Sequence, residues 1–196
     1  YGTVTGVQTC ALPILLERVQ SSQPVEVSTK IFSTWICFTD GACEDKATVG
    51  AVLVNPLGSA VCAFGAELPC DLQALFYKES KHPIYEVELL PVLLSLMIWG
   101  SQLRQCQVVY YLDNEAAKAG LIKGSGATRL ADVIVGNFCA NESKLELKTW
   151  FSRVPTHSNL SDGPSRMNFD LVITLGCALH QVPWHEVSGF MFPRLS

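Results

Sequence analysis

The hydrophobic period of this chain first changes near residue 84, and that change restricts the fold more than any other feature. Upstream, apolar residues fall in three short runs rich in strand formers: 34–40 (TWICFTD), 48–54 (TVGAVLV) and 59–67 (SAVCAFGAE). Asp40-Gly41 closes the first run and Asn55-Pro56-Leu57-Gly58 closes the second. Turns this short join antiparallel neighbours, so the three runs predict a meander. From 84 to 103 the spacing becomes helical, with Ile84, Val87, Leu90, Leu94 and Met97 on one repeat. Pro91 sits inside that helix and is expected to kink it or tighten its first turns.

Downstream, strand and helix patterns alternate. Residues 107–112 (QVVYYL) read as a fourth strand, 115–122 as a short helix ended by Gly124-Ser125-Gly126, and 127–141 as a helix with Leu130, Ile134 and Phe138 on one face. Residues 145–151 read as a fifth strand and 155–166 as a loop with a short helix. Residues 69–81 read as a connection with no assigned structure. The expected fold class is α/β: a five-stranded mixed sheet, three antiparallel strands and then two parallel ones, flanked by helices. Trp35 and Trp150 are flanked by strand residues and are expected to pack. His180, Trp184 and His185 have the wrong spacing for a metal cluster on one helical face and are read as packing of a C-terminal tail, 167–196.

Composition narrows the function classes. The 196 residues are 48% hydrophobic, which suits one domain with an appendage and excludes a disordered chain. A net charge of −4 argues against a general polybasic coat, but admits a local basic track or carboxylates neutralised by metal ions. The uncharged apolar stretch 89–103 is short for a membrane span and fits a buried helix, so no membrane partner is expected. The eight cysteines form no CxxC pair and are followed by no histidine at zinc-finger spacing. Cys37, Cys62 and Cys139 lie in apolar stretches and read as small core residues. This usage favours a reducing intracellular compartment, cytoplasmic or nuclear.

The N-terminus stands apart. Residues 4–14 (VTGVQTCALPI) resemble one reading frame of a sequencing adapter, as in a chain assembled from environmental reads. Residues 1–14 are therefore expected to be non-native and are left out of fold reasoning. Residues 15–33 are polar, contain Ser21, Ser22 and Pro24, and read as a linker or arm. The main domain is expected to span 34–166.

Four carboxylates fall where this topology brings element ends together. Asp40 ends the first strand, Glu88 is in the first turns of the long helix, Asp113 ends the fourth strand and Asp162 is in the terminal loop-helix. First and fourth strands that run parallel as neighbours set Asp40 beside Asp113. Carboxylates that close repel unless they protonate or a hard cation neutralises them. Mg²⁺ prefers carboxylate oxygens, and two such ions suit phosphodiester hydrolysis. Glu86 competes with Glu88, but two residues apart on a helix they point to different faces.

Residues 36–43 (ICFTDGAC), 85–94 (YEVELLPVLL), 112–117 (LDNEAA) and 154–166 (VPTHSNLSDGPSR) resemble, in order, the four motifs of type 1 ribonuclease H. The version is similar to the domain that follows reverse transcriptase in retroelements, particularly DIRS-like ones. The resemblance spans about 34–166 and implies a ribonuclease H-like fold that hydrolyses the RNA strand of RNA/DNA hybrids with two Mg²⁺ ions, for which Mn²⁺ can substitute. It implies that Asp40 bridges both ions, that Glu88 and Asp113 complete one site, and that Asp162 helps hold the other. His157 would assist proton transfer or product departure. Gly41 would let the backbone approach the RNA strand, with Ala42 and Cys43 along the minor groove. Asn114 and Asn159 would hydrogen-bond the hybrid or orient ligands. Lys118, Lys123, Arg129 and Arg153 are candidate phosphate contacts, and Arg166 a candidate tie for the terminal segment.

Two departures qualify the match. Glu44-Asp45-Lys46 replaces the Gly-rich turn that often follows the first motif, and no basic insertion lies between Gly120 and Arg129. Hybrid binding by the isolated domain is therefore expected to be weak, with an upstream reverse transcriptase domain in the same polyprotein supplying grip. Two rival readings share the fold. A catalytically inactive module, binding nucleic acid or bracing a polymerase, predicts the loss of a carboxylate, yet all four are present. A related exonuclease would carry Asp-x-Glu in the first motif, where this chain has Ala42.

Overall fold

Strand-forming residues at the start of the described region pair as their alternation demands. The computed structural model describes residues 33–191. The expected leader 1–14, the arm 15–33 apart from Ser33, and the tail beyond Met191 lie outside the described residues. Strands β1 (Thr34–Cys43), β2 (Ala47–Val54) and β3 (Ala60–Glu67) form the antiparallel meander. Helix α1 (Cys70–Glu79) follows, then α2 (Ile84–Leu103) and β4 (Gln107–Leu112). Next come α3 (Glu115–Lys123), α4 (Arg129–Leu145) and β5 (Lys148–Arg153). A 3-10 turn (Thr156–Ser158) leads to α5 (Asp162–Ser165), α6 (Asp170–Thr174), β6 (Ala178–Leu179) and α7 (Trp184–Met191).

The sheet order is β5-β4-β1-β2-β3-β6, with β1, β4 and β5 mutually parallel. The mixed sheet is thus as expected, with six strands rather than five. The extra strand comes from the tail, where β6 pairs parallel with β3 and the His180 N–H donates to the Ala63 carbonyl at 2.9 Å. Two residues carry too little pattern to be read as a strand. The connection 69–81 contains α1, which buries only Leu72 and Phe76.

Helix α2 is the centre of the core. Its residues Val87, Leu89, Leu90, Leu93 and Leu94 are fully buried, which is why an apolar stretch of this length sits in a protein interior. It runs unbroken through Pro91. Proline has no N–H for the carbonyl four residues earlier, that of Val87, and the β1 backbone crosses α2 at this carbonyl. A Cβ on Gly41 would lie 2.6 Å from the Val87 oxygen, so only glycine permits the crossing.

The sheet's other face is covered by the segment after β5. Val52, Ala63 and Val172 are buried there, with Phe38, Leu160 and Phe169 packed around them. Trp35 packs against the main core. The expectation for Trp150 is corrected: it is 67% exposed. Alternation along β5 turns Phe151 inward, stacked on Tyr110 at 5.6 Å, and so turns Trp150 outward. In the tail, Trp184 packs on the core and His180 meets Trp99 edge-on, while the side chain of His185 is 83% exposed.

Candidate functional site

The parallel β1/β4 register pairs Thr34 with Gln107 and Phe38 with Tyr111. Continued by two residues, it sets Asp40 opposite Asp113. Glu88 arrives from α2 where Gly41 lets that helix touch β1. One carboxylate oxygen from each of Asp40, Glu88 and Asp113 lies within 4.8 Å of the others. Asp40 and Glu88 are 3% and 5% exposed. Glu86 goes elsewhere: its Oε1 accepts from the Thr128 hydroxyl at 2.6 Å, and of the two glutamates Glu88 joins the cluster.

The electrostatics are adverse. Burial pushes the Asp40 carboxyl up to about 6, with Asp113 and Asp162 adding repulsion, while the Ser165 hydroxyl and Arg166 oppose the rise. Burial, then Asp40 and Asp113, push Glu88 up to about 9 against a hydrogen bond from the Gly41 N–H. Two buried oxygens in the cluster, Glu88 Oε2 and Asp113 Oδ1, have no hydrogen-bond partner. Orphaned buried acceptors are costly. An all-oxygen, multiply anionic set with orphaned lone pairs fits a hard divalent cation better than a soft metal.

Around the cluster, loop residues fix the carboxylate-bearing strands. Thr156 donates to Asp113 Oδ2 at 2.8 Å. Asn159 is 6% exposed; its Nδ2 donates to the Thr39 carbonyl at 3.1 Å and its Oδ1 accepts from the Ser161 hydroxyl at 2.7 Å. Its amide thus ties the loop to β1 just before Asp40. Asn114 caps α3, its Oδ1 accepting from Ala116 and Ala117 N–H groups at 3.0 Å each. The cap is Asn114 and not Asp113, whose carboxylate stays with the cluster.

Asp162 is outside the three-carboxylate cluster, and its Oδ1 accepts from Arg166 Nε at 3.1 Å. Arg166 also pairs with Glu44, fastening the terminal segment to the β1–β2 turn. His157 is exposed on the 3-10 turn beside Thr156. Gly41 and Ala42 are buried and Cys43 is half-buried. Burial, then Glu88 and Glu86, push the Cys43 thiol up to about 11. Lys118 pairs with Glu115 at 2.7 Å and Arg153 with the same carboxylate at 3.4 Å; Lys123 and Arg129 are exposed.

One participant has no counterpart in the sequence reading: the Ser165 hydroxyl, fully buried, donates to Asp40 Oδ2. A row across the sheet explains how it arrives. Asp40 pairs with Gly50, and Gly50 with Gly65. A Cβ on Gly50 would lie 2.3 Å from the Ser165 nitrogen, and one on Gly65 2.3 Å from the Pro164 oxygen. The two glycines floor a seat for α5. Glycine inside a strand often marks such a close approach, and that was the available signal.

No family model matches the sequence, and no curated protein matches it. Solved structures match in fold. Ribonuclease H1 of the halophilic archaeon Halobacterium salinarum superimposes with a TM-score of 0.57 at 15% identity, over 70% of this chain and 98% of that one. The N-terminal ribonuclease H domain of a Mycobacterium tuberculosis protein gives a TM-score of 0.55 at 11% identity, over 74% and 99%. At these identities the likeness is one of fold, and the fold of this chain is ribonuclease H-like.

Proposed function

We propose that this protein is a metal-dependent endonuclease that hydrolyses the RNA strand of RNA/DNA hybrids. The observation that carries the reading is the buried cluster of Asp40, Glu88 and Asp113, with two carboxylate oxygens unpartnered, at the end of the β1–β4 pair. The fold's likeness to proteins described as ribonuclease H1 supports the choice of substrate class.

In this reading Asp40, Glu88 and Asp113 hold divalent metal, Mg²⁺ being the expected ion, with Asp162 contributing to a second position. When bound, two such ions supply Lewis-acid stabilisation of the attacking and leaving oxygens of the phosphodiester. The chain does the rest. Thr156 orients Asp113, and the Gly41 N–H orients Glu88. His157, exposed beside Thr156, passes a proton to the departing 3′-oxygen, and the products carry a 3′-hydroxyl and a 5′-phosphate. Gly41, Ala42 and Cys43 present the β1 end to the minor groove, Asn114 lies at the cap beside Asp113, and Lys123, Arg129, Lys118 and Arg153 follow the backbone phosphates. Asn159 contributes by fixing the loop. The domain acts within a retroelement polyprotein, next to a reverse transcriptase; the motif resemblance and the missing basic insertion support this context.

The test is cleavage of a labelled RNA/DNA hybrid by the full chain in Mg²⁺, beside Asp113→Asn and EDTA controls. Loss of the RNA strand alone, abolished by both controls, is expected. A folded protein inert in Mg²⁺ and Mn²⁺, alone and fused behind a reverse transcriptase, would overturn the reading.

A further inference from the structure

We infer that Ser165 is a positioning residue that fixes the Asp40 carboxylate for metal binding, an inference that rests on the metal-site reading above. The Ser165 hydroxyl has one proton and two acceptors within reach: Asp40 Oδ2 and, at 2.9 Å, the Asp162 carbonyl. The carboxylate is the charged acceptor and makes the shorter contact, so it takes the proton. Among the described residues no other side chain is shown hydrogen-bonded to the Asp40 carboxylate. A carboxylate in a crowd of like charges turns away from its neighbours unless something holds it. Ser165 holds one oxygen from the side opposite α2, in the manner of the outer partners that orient metal ligands in other sites.

The fold spends specific residues on this contact. Gly50 and Gly65 clear the floor so that the α5 backbone meets the sheet. Asn159 and Ser161 close the loop ahead of α5, Asn159 being tied to Thr39, the neighbour of Asp40. Arg166 pins the far end through Asp162 and Glu44. These contacts converge on one result, a single hydroxyl at a fixed place against Asp40. Had α5 served only to cover the sheet, an apolar side chain in the fully buried Ser165 position would do so without a polar group.

The experiment measures Mn²⁺ affinity by isothermal titration on the full-length protein and on Ser165→Ala, Ser165→Cys and Ser165→Thr. Cysteine keeps the shape of serine, with a somewhat larger sulfur, but is a weak donor; threonine keeps the hydroxyl. Ser165→Ala and Ser165→Cys are expected to bind about tenfold more weakly, the lower end for outer partners of metal ligands. Ser165→Thr is expected to stay within about threefold of wild type, a tolerance below the RT-scale tenfold step of about 1.4 kcal/mol. Urea melts of the metal-free variants establish that each is folded. If Ser165→Ala does not fold, Ser165→Cys decides. Wild-type affinity in a folded Ser165→Ala or Ser165→Cys overturns the inference, as does equal weakening in all three variants, which would mean packing rather than the hydroxyl. Absence of Mn²⁺ binding in the wild type fails the metal-site reading instead, and is thereby distinguished.

Discussion

Two acidic groups of residues lie within one corner of this molecule and differ in how their charge is met. Asp40, Glu88 and Asp113 are crowded at the end of the β1–β4 pair, with two oxygens unpartnered and two pKa values raised. Asp162 and Glu44, closer to solvent, share Arg166. The second arrangement satisfies itself and fastens a loop. The first does not, and a buried cluster of perturbed carboxylates is a candidate for completion by a cation from outside the chain. Unmet charge marks the candidate site here, and met charge marks the fastening.

The largest expected break in this contrast is Asp113→Asn, which should lower hybrid cleavage at least ~100-fold, since even outer partners of metal ligands cost 10–100-fold. Single-turnover rates check it. The next concerns pH. Asp40 and Glu88 have folded values of about 6 and about 9 against 3.8 and 4.5 for the free groups. Raised values favour folding in full below the free-group values, and the contribution fades as pH climbs through the folded ones. Both shifts have the same sign, so the melting temperature in EDTA should fall between pH 4 and 8, with Mg²⁺ restoring most of it at pH 8. Melts with and without metal test this; a flat profile in EDTA would end the claim that the cluster is unmet.

Smaller effects fall on the fastening. Gly50→Ala forces a methyl group into the α5 backbone and should cost about 2–3 kcal/mol in urea unfolding, with metal affinity falling as the seat opens. Arg166→Ala removes ion pairs whose Arg166 side chain is 46% exposed and should cost under ~1 kcal/mol. A larger loss would show that the clamp, and not the glycine seat, holds α5.

The sequence was most legible where one periodicity ran long enough. The meander, α2 and the parallel placing of β1 beside β4 follow from alternation, helical spacing and short turns, and they carry three of the four expected carboxylates into one cluster. What escaped depends on contacts between distant segments. Helix α1 offers one buried pair, Leu72 and Phe76, too sparse for a face. Strand β6 exists because β3 has an open edge. Ser165 reads as one more loop serine until Gly50 and Gly65 are seen to lie across from Asp40. Asn159 has a side chain suited to ligand contact, but burial commits it to Thr39 and Ser161.

The parallel pairing of β1 with β4 has a kinetic consequence. Parallel neighbours cannot be joined by a hairpin; here β2, β3, α1 and α2 all intervene. Closing so long a loop costs chain entropy before any ladder bond offsets it, so this pairing is expected among the late steps of folding, which pulse-labelled hydrogen exchange would check. On that order, Asp40 and Asp113 would meet only when the sheet is nearly complete. An unfolded or half-folded chain presents no cluster, and any cation that recognises it recognises only the finished fold.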